Sequence, residues 1–261
     1  MTDETPSLPK LIASLPQSET PRIPVPEGWH QGRTAYGGLS TALALAAVQA
    51  RWPDLPPLRS AQVAFIGPVA GSAEIRTELL RRGRSAAYIQ ADVVADGGLG
   101  VRITFVFMSA RESHVDAPAA GIAPDALPPR SHPLEITRHI PAFIGNFELF
   151  STGEEENGRG HISRWARLRD RDGLDPMVEI AAIGDVLPPA AMRLFTQFGP
   201  ISSMNWQINL LTEAPQTEDG WWLVRSTVDH ARAGASGQHM SIHNSRGEAI
   251  ATATQFVALF V

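Results

Sequence analysis

Two polar side chains in this chain stand among apolar neighbours that would change their chemistry. Asp185 closes the stretch Pro176-Met177-Val178-Glu179-Ile180-Ala181-Ala182-Ile183-Gly184-Asp185. Burial there would raise its carboxyl toward the pKa of a useful general base. Read from the residues alone, an ordinary turn aspartate at a helix end is the simpler account. Gln255 shares one face of a strand with Ala251, Ala253, Val257 and Leu259. It is the single polar member of an apolar row, and a buried amide needs partners. A Gln satisfied by neighbouring backbone, or facing water at an edge, fits the same pattern. Ser203 taken alone reads as a turn hydroxyl, with Ser202 beside it as an alternative. Arg81, Arg82 and Arg84 cluster at a strand-end turn. They can pair with phosphates, although such clusters are usually just solvated.

Other chemistries are excluded or unsupported. The chain has no cysteine, which removes thiolate nucleophiles, disulfides and Cys-based zinc sites. It has no Gly-x-Ser-x-Gly elbow, no His-Glu-x-x-His stretch, no Walker loop and no Gly-x-Gly-x-x-Gly opening a βαβ unit. His239 and His243 sit four apart in a strand, roughly 13 Å along its axis and too far to share a metal. No metal or cofactor is expected. With 43% hydrophobic and 19% charged residues and a formal net charge of −5 over 261 residues, a soluble globular protein is expected, without nucleic acid or membrane as partner. No apolar run approaches a membrane span. Met1-Thr2-Asp3-Glu4-Thr5-Pro6 lacks the basic and apolar regions of a secretory signal, so a cytoplasmic location is the expectation.

The elements that would position these residues centre on Tyr36-Gly37-Gly38, which runs into a helix ending at Trp52-Pro53. From Ala42 to Val48 this helix has no polar residue, and a helix apolar all round must be buried. Gly37 and Gly38 at its start would let a ligand approach backbone N–H groups at the positive end of the helix dipole. Strands are predicted at Leu58 to Ile66, Glu74 to Arg81, Ser85 to Ala95 and Leu99 to Ser109. Residues 1–28 read as an irregular arm, and 112–133, with five prolines, as a linker. Beyond it, strands are predicted over Ile140 to Ser151 and His161 to Asp170, flanking the acidic loop Gly153 to Gly158. A helix over 176–185 follows, then a further turn from Ala190 to Phe198. Four more strands then run at Ile201 to Leu211, Trp221 to Asp229, Gly237 to Asn244 and Ala249 to Val261.

The order helix, strand, strand, strand, strand thus occurs twice. Each copy closes on a hairpin, Asp96-Gly97 in the first and Arg246-Gly247 in the second. Anchoring on Gly97 and Gly247 sets Phe105 opposite Gln255. The pattern predicts an α+β, double hotdog fold, with two tandem repeats of an antiparallel sheet wrapped round a central helix. Residues 29–111 would form the first repeat and 134–261 the second.

Here the sequence resembles the acyl-CoA thioesterase II, or TesB-like, family. The resemblance rests on Tyr36-Gly37-Gly38 and its Ala/Leu helix, Phe65-Ile66-Gly67-Pro68, Leu80-Arg81-Arg82-Gly83-Arg84-Ser85, and the Gly247 to Gln255 segment. It covers nearly the whole chain beyond the arm. It implies hydrolysis of acyl-CoA thioesters by water, with an Asp, a Thr or Ser, and a Gln holding and activating that water. Asp185, Ser203 and Gln255 match these positions. Ser203 stands where the family more often has Thr, and Pro188-Pro189 follow Asp185 closely. On this reading Gly37, Gly38, Arg81, Arg82 and Arg84 bind substrate, and direct attack by the carboxylate remains an alternative to water. By analogy a homodimer or larger homo-oligomer is expected. The rival reading is a non-catalytic acyl-CoA-binding hotdog. A dehydratase of this fold would carry a His soon after its Asp, whereas the first His after Asp185 is His230.

Overall fold

The computed structural model describes residues 5–136, 140–153, 159–197 and 199–261. Residues 154–158 of the acidic loop and Phe198 of the expected turn lie outside them. In chain order the elements are α1 (Leu8–Ala13), β1 (Arg22–Pro24), β2 (His30–Gln31), β3 (Thr34–Ala35), α2 (Gly37–Arg51), β4 (Leu58–Phe65), β5 (Ser72–Arg82), β6 (Ala86–Ala95) and β7 (Gly98–Met108). Then come β8 (His132–Pro133), β9 (Phe147–Ser151), β10 (His161–Leu168), α3 (Pro176–Ile183), β11 (Ile201–Leu210), β12 (Trp222–Arg232), β13 (Ala235–His243) and β14 (Ala249–Leu259).

Among the described residues, twelve strands join in one sheet, in the order β1-β5-β6-β7-β4-β11-β14-β13-β12-β10-β9-β8. Every pairing within it is antiparallel. The two repeats meet at the β4–β11 ladder, where Gln62 faces Gln207, Ala61 faces Ile208 and Val63 faces Trp206. This register is that of an approximate twofold axis through the Gln62–Gln207 pair. It relates Ala61 to Trp206 and, through their partners in β7 and β14, Phe105 to Gln255.

Both core helices are explained by their composition. In α2 every residue from Gly38 to Val48 is buried. Its two polar members are satisfied within the helix: Thr41 Oγ1 donates to Gly37 O at 2.9 Å and Ser40 Oγ to Tyr36 O at 3.5 Å. Helix α3 begins with Pro176 at its first position, where the missing N–H costs nothing. Asp175 caps it, its Oδ1 accepting from Met177 N at 2.9 Å and Val178 N at 3.2 Å. Met177 to Ile183 are all buried, Glu179 among them, and the Trp222 indole donates to the Glu179 carboxylate at 3.0 Å. The two helices pack on each other inside the curled sheet.

Two expectations change. The N-terminal arm is ordered: α1 buries Leu8 and Leu11, and β1 pairs with β5 as an edge strand of the sheet. Its short apolar patch was too small to show a helical period, and the Trp29 indole holds it by donating to Pro6 O at 2.9 Å. The strand expected over Ile140 to Ser151 is a 3₁₀ turn at Ala142–Asn146 followed by β9. An apolar run of this length does not distinguish the two, and the stacking of Phe143 on Tyr36 decides it (ring centroids 4.1 Å apart, interplanar angle 2°). The linker is laid against the outer face of the second repeat. Ile122 N donates to Gly247 O at 2.8 Å, the Trp165 indole donates to Pro128 O at 2.9 Å, and the Arg130 guanidinium lies over the rings of Trp165 and Trp221.

The arm's burial has a measurable consequence. Leu8 has no exposed surface, so Leu8→Ala should cost about 2–5 kcal/mol in urea denaturation. A cost below about 0.5 kcal/mol, the level of a surface change, would mean that α1 does not pack on the core.

Candidate active site

Asp185, Ser203 and Gln255 come together where the first turn of α2 meets the end of α3. Asp185 follows directly on the Gly184 C-cap of α3. A side chain at Gly184 would collide with Trp206, whose Cζ2 lies 2.8 Å from where a Cβ would stand. The absence of one lets the indole pack beneath the turn that carries the carboxylate. Ser203 lies next to a register shift in β11, between Ser203 and Asn205. Such a bulge re-aims side chains. Ser203 is half-buried while Ser202 is exposed.

Gln255 joins the other two. Its Nε2 donates to Ser203 Oγ at 3.1 Å and to Asp185 Oδ1 at 3.3 Å. Its Oε1 accepts from Gln238 Nε2 at 2.6 Å. Gln255 is 5% exposed, so the amide is a fully engaged internal group rather than a solvated edge residue. The twofold-related position in the first repeat is the fully buried Phe105, and the polar cluster has no counterpart there.

Asp185 is the electrostatic centre. Desolvation raises its carboxyl to about 7, against the smaller opposing effects of hydrogen bonds from the Gly38 backbone and from Gln255. The residue keeps partial solvent access. The neighbouring Tyr36 hydroxyl is pushed well above its usual value by burial and by the Asp185 charge. It stays protonated and donates to Ala182 O at 2.7 Å, fastening the start of α2 to the end of α3.

Gly37 and Gly38 lie at the site. The Gly38 N–H is directed at Asp185. At Gly37, Asp185 Oδ2 lies 2.6 Å and Phe65 Cε1 2.7 Å from where a Cβ would be. Glycine is therefore the residue that allows both the carboxylate and the Phe65 ring to close on the helix start.

The arginines are elsewhere. The cross-strand row of Gln255 runs through Trp206, Val63, Ile103 and Ala91 to Thr77 on β5. That row spans five strand spacings, roughly 24 Å along the sheet. Arg81 and Arg82 lie further along β5, on the side of the row away from Ser203. Arg82 is paired with Asp54, Nη2 to Oδ2 at 2.8 Å and Nη1 to Oδ1 at 3.1 Å. Arg82 and Arg84 line a cleft of about 220 Å³ with Asp54 and Ser109. Within one chain the arginines and the polar cluster are not brought together.

The structure adds to the site Tyr36 and Phe65, which the sequence offered only as motif residues, and Gln238, which it did not mark. Gln238 carried a weaker signal than Gln255, because its face of β13 holds the polar Ser236 beside Met240 and Ile242.

Among the described residues no group of three His, Cys, Asp or Glu is placed to hold a metal ion, and no helix is long and apolar enough to cross a membrane. A continuous antiparallel sheet curled round two buried helices, with its polar cluster at the helix ends, defines a double hotdog protein. Residues 25–108 match the family model of the acyl-CoA thioesterase N-terminal domain, and residues 116–259 that of the C-terminal domain. The chain belongs to the acyl-CoA thioesterase family. No curated protein sequence matches it.

Solved structures of similar fold include a conserved hot dog protein of unknown function from Alicyclobacillus acidocaldarius (TM-score 0.82, 19% identity, 99% of each chain covered). A putative thioesterase II from Thermobifida fusca YX has a TM-score of 0.77 at 20% identity, with 94% of this chain and 93% of that one covered. The acyl-CoA thioesterase II TesB2 from Mycobacterium marinum has a TM-score of 0.72 at 17% identity, with 95% and 94% covered. At these identities the likeness is one of fold. The family supports thioester hydrolase activity.

Proposed function

We propose that the protein hydrolyses acyl-CoA to a free carboxylic acid and CoA, using a water activated by Asp185. The observation that carries this reading is a carboxyl raised by burial to about 7 and met by an amide nitrogen that also reaches a hydroxyl. A carboxyl poised near the working pH is ionised enough to accept a proton and basic enough to pull one from water. Asp185 takes a proton as the water oxygen bonds to the thioester carbonyl carbon. The tetrahedral intermediate collapses by breaking the C–S bond, and the proton passes from Asp185 to the departing CoA sulfur. Ser203 and the Gln255 amide orient the water. The first turn of α2, at the positive end of a 15-residue helix, favours the developing oxyanion.

On this proposal residues 29–111 and 134–261 are the two repeats joined by 112–133, and the protein works as a cytoplasmic homodimer or larger homo-oligomer. Arg81, Arg82 and Arg84 then meet CoA phosphates outside the polar cluster, Arg82 after exchanging Asp54 for phosphate.

The test is release of free CoA thiol from a panel of acyl-CoAs across pH. Turnover is expected, with kcat/KM rising with pH through an apparent pKa of about 7, because the ionised carboxylate is the active form. Binding of acyl-CoA with no turnover at any chain length would favour the binding-module reading. An acid limb near pH 4 would place the base in a solvated carboxylate elsewhere.

A further inference from the structure

The two ends of a glutamine amide have nearly the same shape, yet only the nitrogen end can donate. Gln255 is useful to Asp185 and Ser203 only if its nitrogen faces them. Turned over, it would set a carbonyl oxygen against the carboxylate. The site therefore needs something that fixes which way this amide points.

Gln238 sits directly opposite Gln255 in the β13–β14 ladder and is 2% exposed. Its Oε1 accepts from the backbone N–H of Ala190 at 2.8 Å. Ala190 begins the 3₁₀ turn that follows Pro188-Pro189. A peptide N–H can only donate, so the Gln238 oxygen must face it and the Gln238 nitrogen must face the other way. That nitrogen donates to Gln255 Oε1 at 2.6 Å and approaches Met240 Sδ at 3.9 Å. With its oxygen taken, Gln255 turns Nε2 toward Ser203 and Asp185. The direction of each donor along this line follows from the one member that cannot reverse.

We infer that Gln238 is a positioning residue for hydrolysis: it transmits the fixed polarity of the Ala190 N–H to Gln255 and so keeps a donor aimed at Asp185 and Ser203. This rests on the reading of Asp185, Ser203 and Gln255 given above. Gln238 itself is buried and reaches the site through Gln255.

Three variants test it: Gln238→Met, Gln238→Glu and Gln255→Leu. Gln238→Met keeps the bulk and removes both polar ends. Its kcat should fall about 10- to 100-fold with KM within about twofold, the scale of a misoriented catalytic group, and by the same factor at every pH. Gln238→Glu keeps the shape, but its carboxylate cannot donate to Gln255 Oε1 and invites the amide to turn. Protonation returns a donor. The ratio of its kcat to that of the unchanged enzyme should therefore climb as pH falls from about 9 to about 6, the range open to a buried carboxyl. Asp185 titrates in both enzymes, and a charged Glu at 238 would push its carboxyl up and so depress the ratio at low pH, the sign opposite to the climb expected here. In the Gln255→Leu background Gln238→Met should cost nothing further, since it acts only through the missing amide.

The inference is overturned if both Gln238 variants keep kcat within about threefold of the unchanged enzyme, a loss too small for a misplaced donor. It also falls if the Gln238→Glu ratio is flat with pH, or if the losses at 238 and 255 multiply independently. Full activity in Gln255→Leu would instead remove the reading of the site itself. Should the Gln238 variants fail to fold, the Gln255 side-chain amide signals of the ¹⁵N-labelled unchanged protein decide. Its nitrogen and both its protons should shift with Asp185 ionisation, and a silent amide would mean that its oxygen faces Asp185.

Discussion

Asp185→Asn is expected to lower kcat about 10²- to 10⁴-fold, the usual contribution of a general base, and at the same time to make the protein more stable at alkaline pH. The first effect follows because asparagine cannot take a proton from water. The second follows from linkage. The carboxyl is raised from 3.8 to about 7 in the folded chain, so the folded state holds its proton where the unfolded state has lost it. The resulting stability is fully present below about pH 4, declines as pH rises from there to about 7, and is lost above. A shift of this size corresponds to a penalty of up to about 4 kcal/mol. Asparagine removes that penalty but has one acceptor oxygen for the donors at Gly38 and Gln255, so a net gain of about 2 kcal/mol is expected. Thiol release and urea denaturation at pH 4 and pH 8 check both parts. Equal stability of the two proteins at pH 8 would mean that the carboxyl is solvated, and unchanged turnover would move the base to another residue.

Gly37→Ala should lower kcat/KM about 100-fold, as a displacement of roughly an ångström does in an organised site. The added methyl has no room: Asp185 Oδ2 would lie 2.6 Å away and Phe65 Cε1 and Cζ 2.7 and 2.9 Å away. The carboxylate or the ring must move. Alanine is the better helix former by about 1 kcal/mol, so helix propensity and site geometry pull in opposite directions, and the fold should survive. Gly145→Ala is the matched control, because a Cβ there meets nothing within 4 Å, and it should leave turnover unchanged. Full activity in Gly37→Ala would show that Asp185 does not work from the position described.

The fold was legible where periodicity was strong. The apolar run of α2 required burial, and alternating strands with glycine turns repeated twice gave the double hotdog. Gln255 stood out because a strand with period two exposes any polar intruder on its inner face. Asp185 could be singled out only through resemblance, since a carboxylate after a helix is common and its burial depends on Gly37, Phe65 and Trp206, distant in sequence. Which of Ser202 and Ser203 meets Gln255 turned on a bulge, which alternation alone does not reveal. The 3₁₀ turn at Ala142–Asn146 was hidden because a short apolar run serves a strand and a turn equally well. The arginine turn was visible, but its separation from Gln255 follows from strand order, a long-range property that local pattern does not carry.

The β4–β11 ladder joins the repeats into one sheet, and the site takes parts from both. The Gly38 backbone of the first repeat and the Gln255 side chain of the second meet on the Asp185 carboxylate, and Ser203 and Gln238 join them through Gln255. Because one covalent chain supplies them all, the polar cluster is complete at any protein concentration. Dilution cannot take it apart, as it could a site shared between separate subunits. The first repeat is thereby relieved of chemistry at the position of Phe105, where a large buried ring contributes to the core instead. On the proposed mechanism the two halves divide the labour: one frames the reaction, and the other performs it.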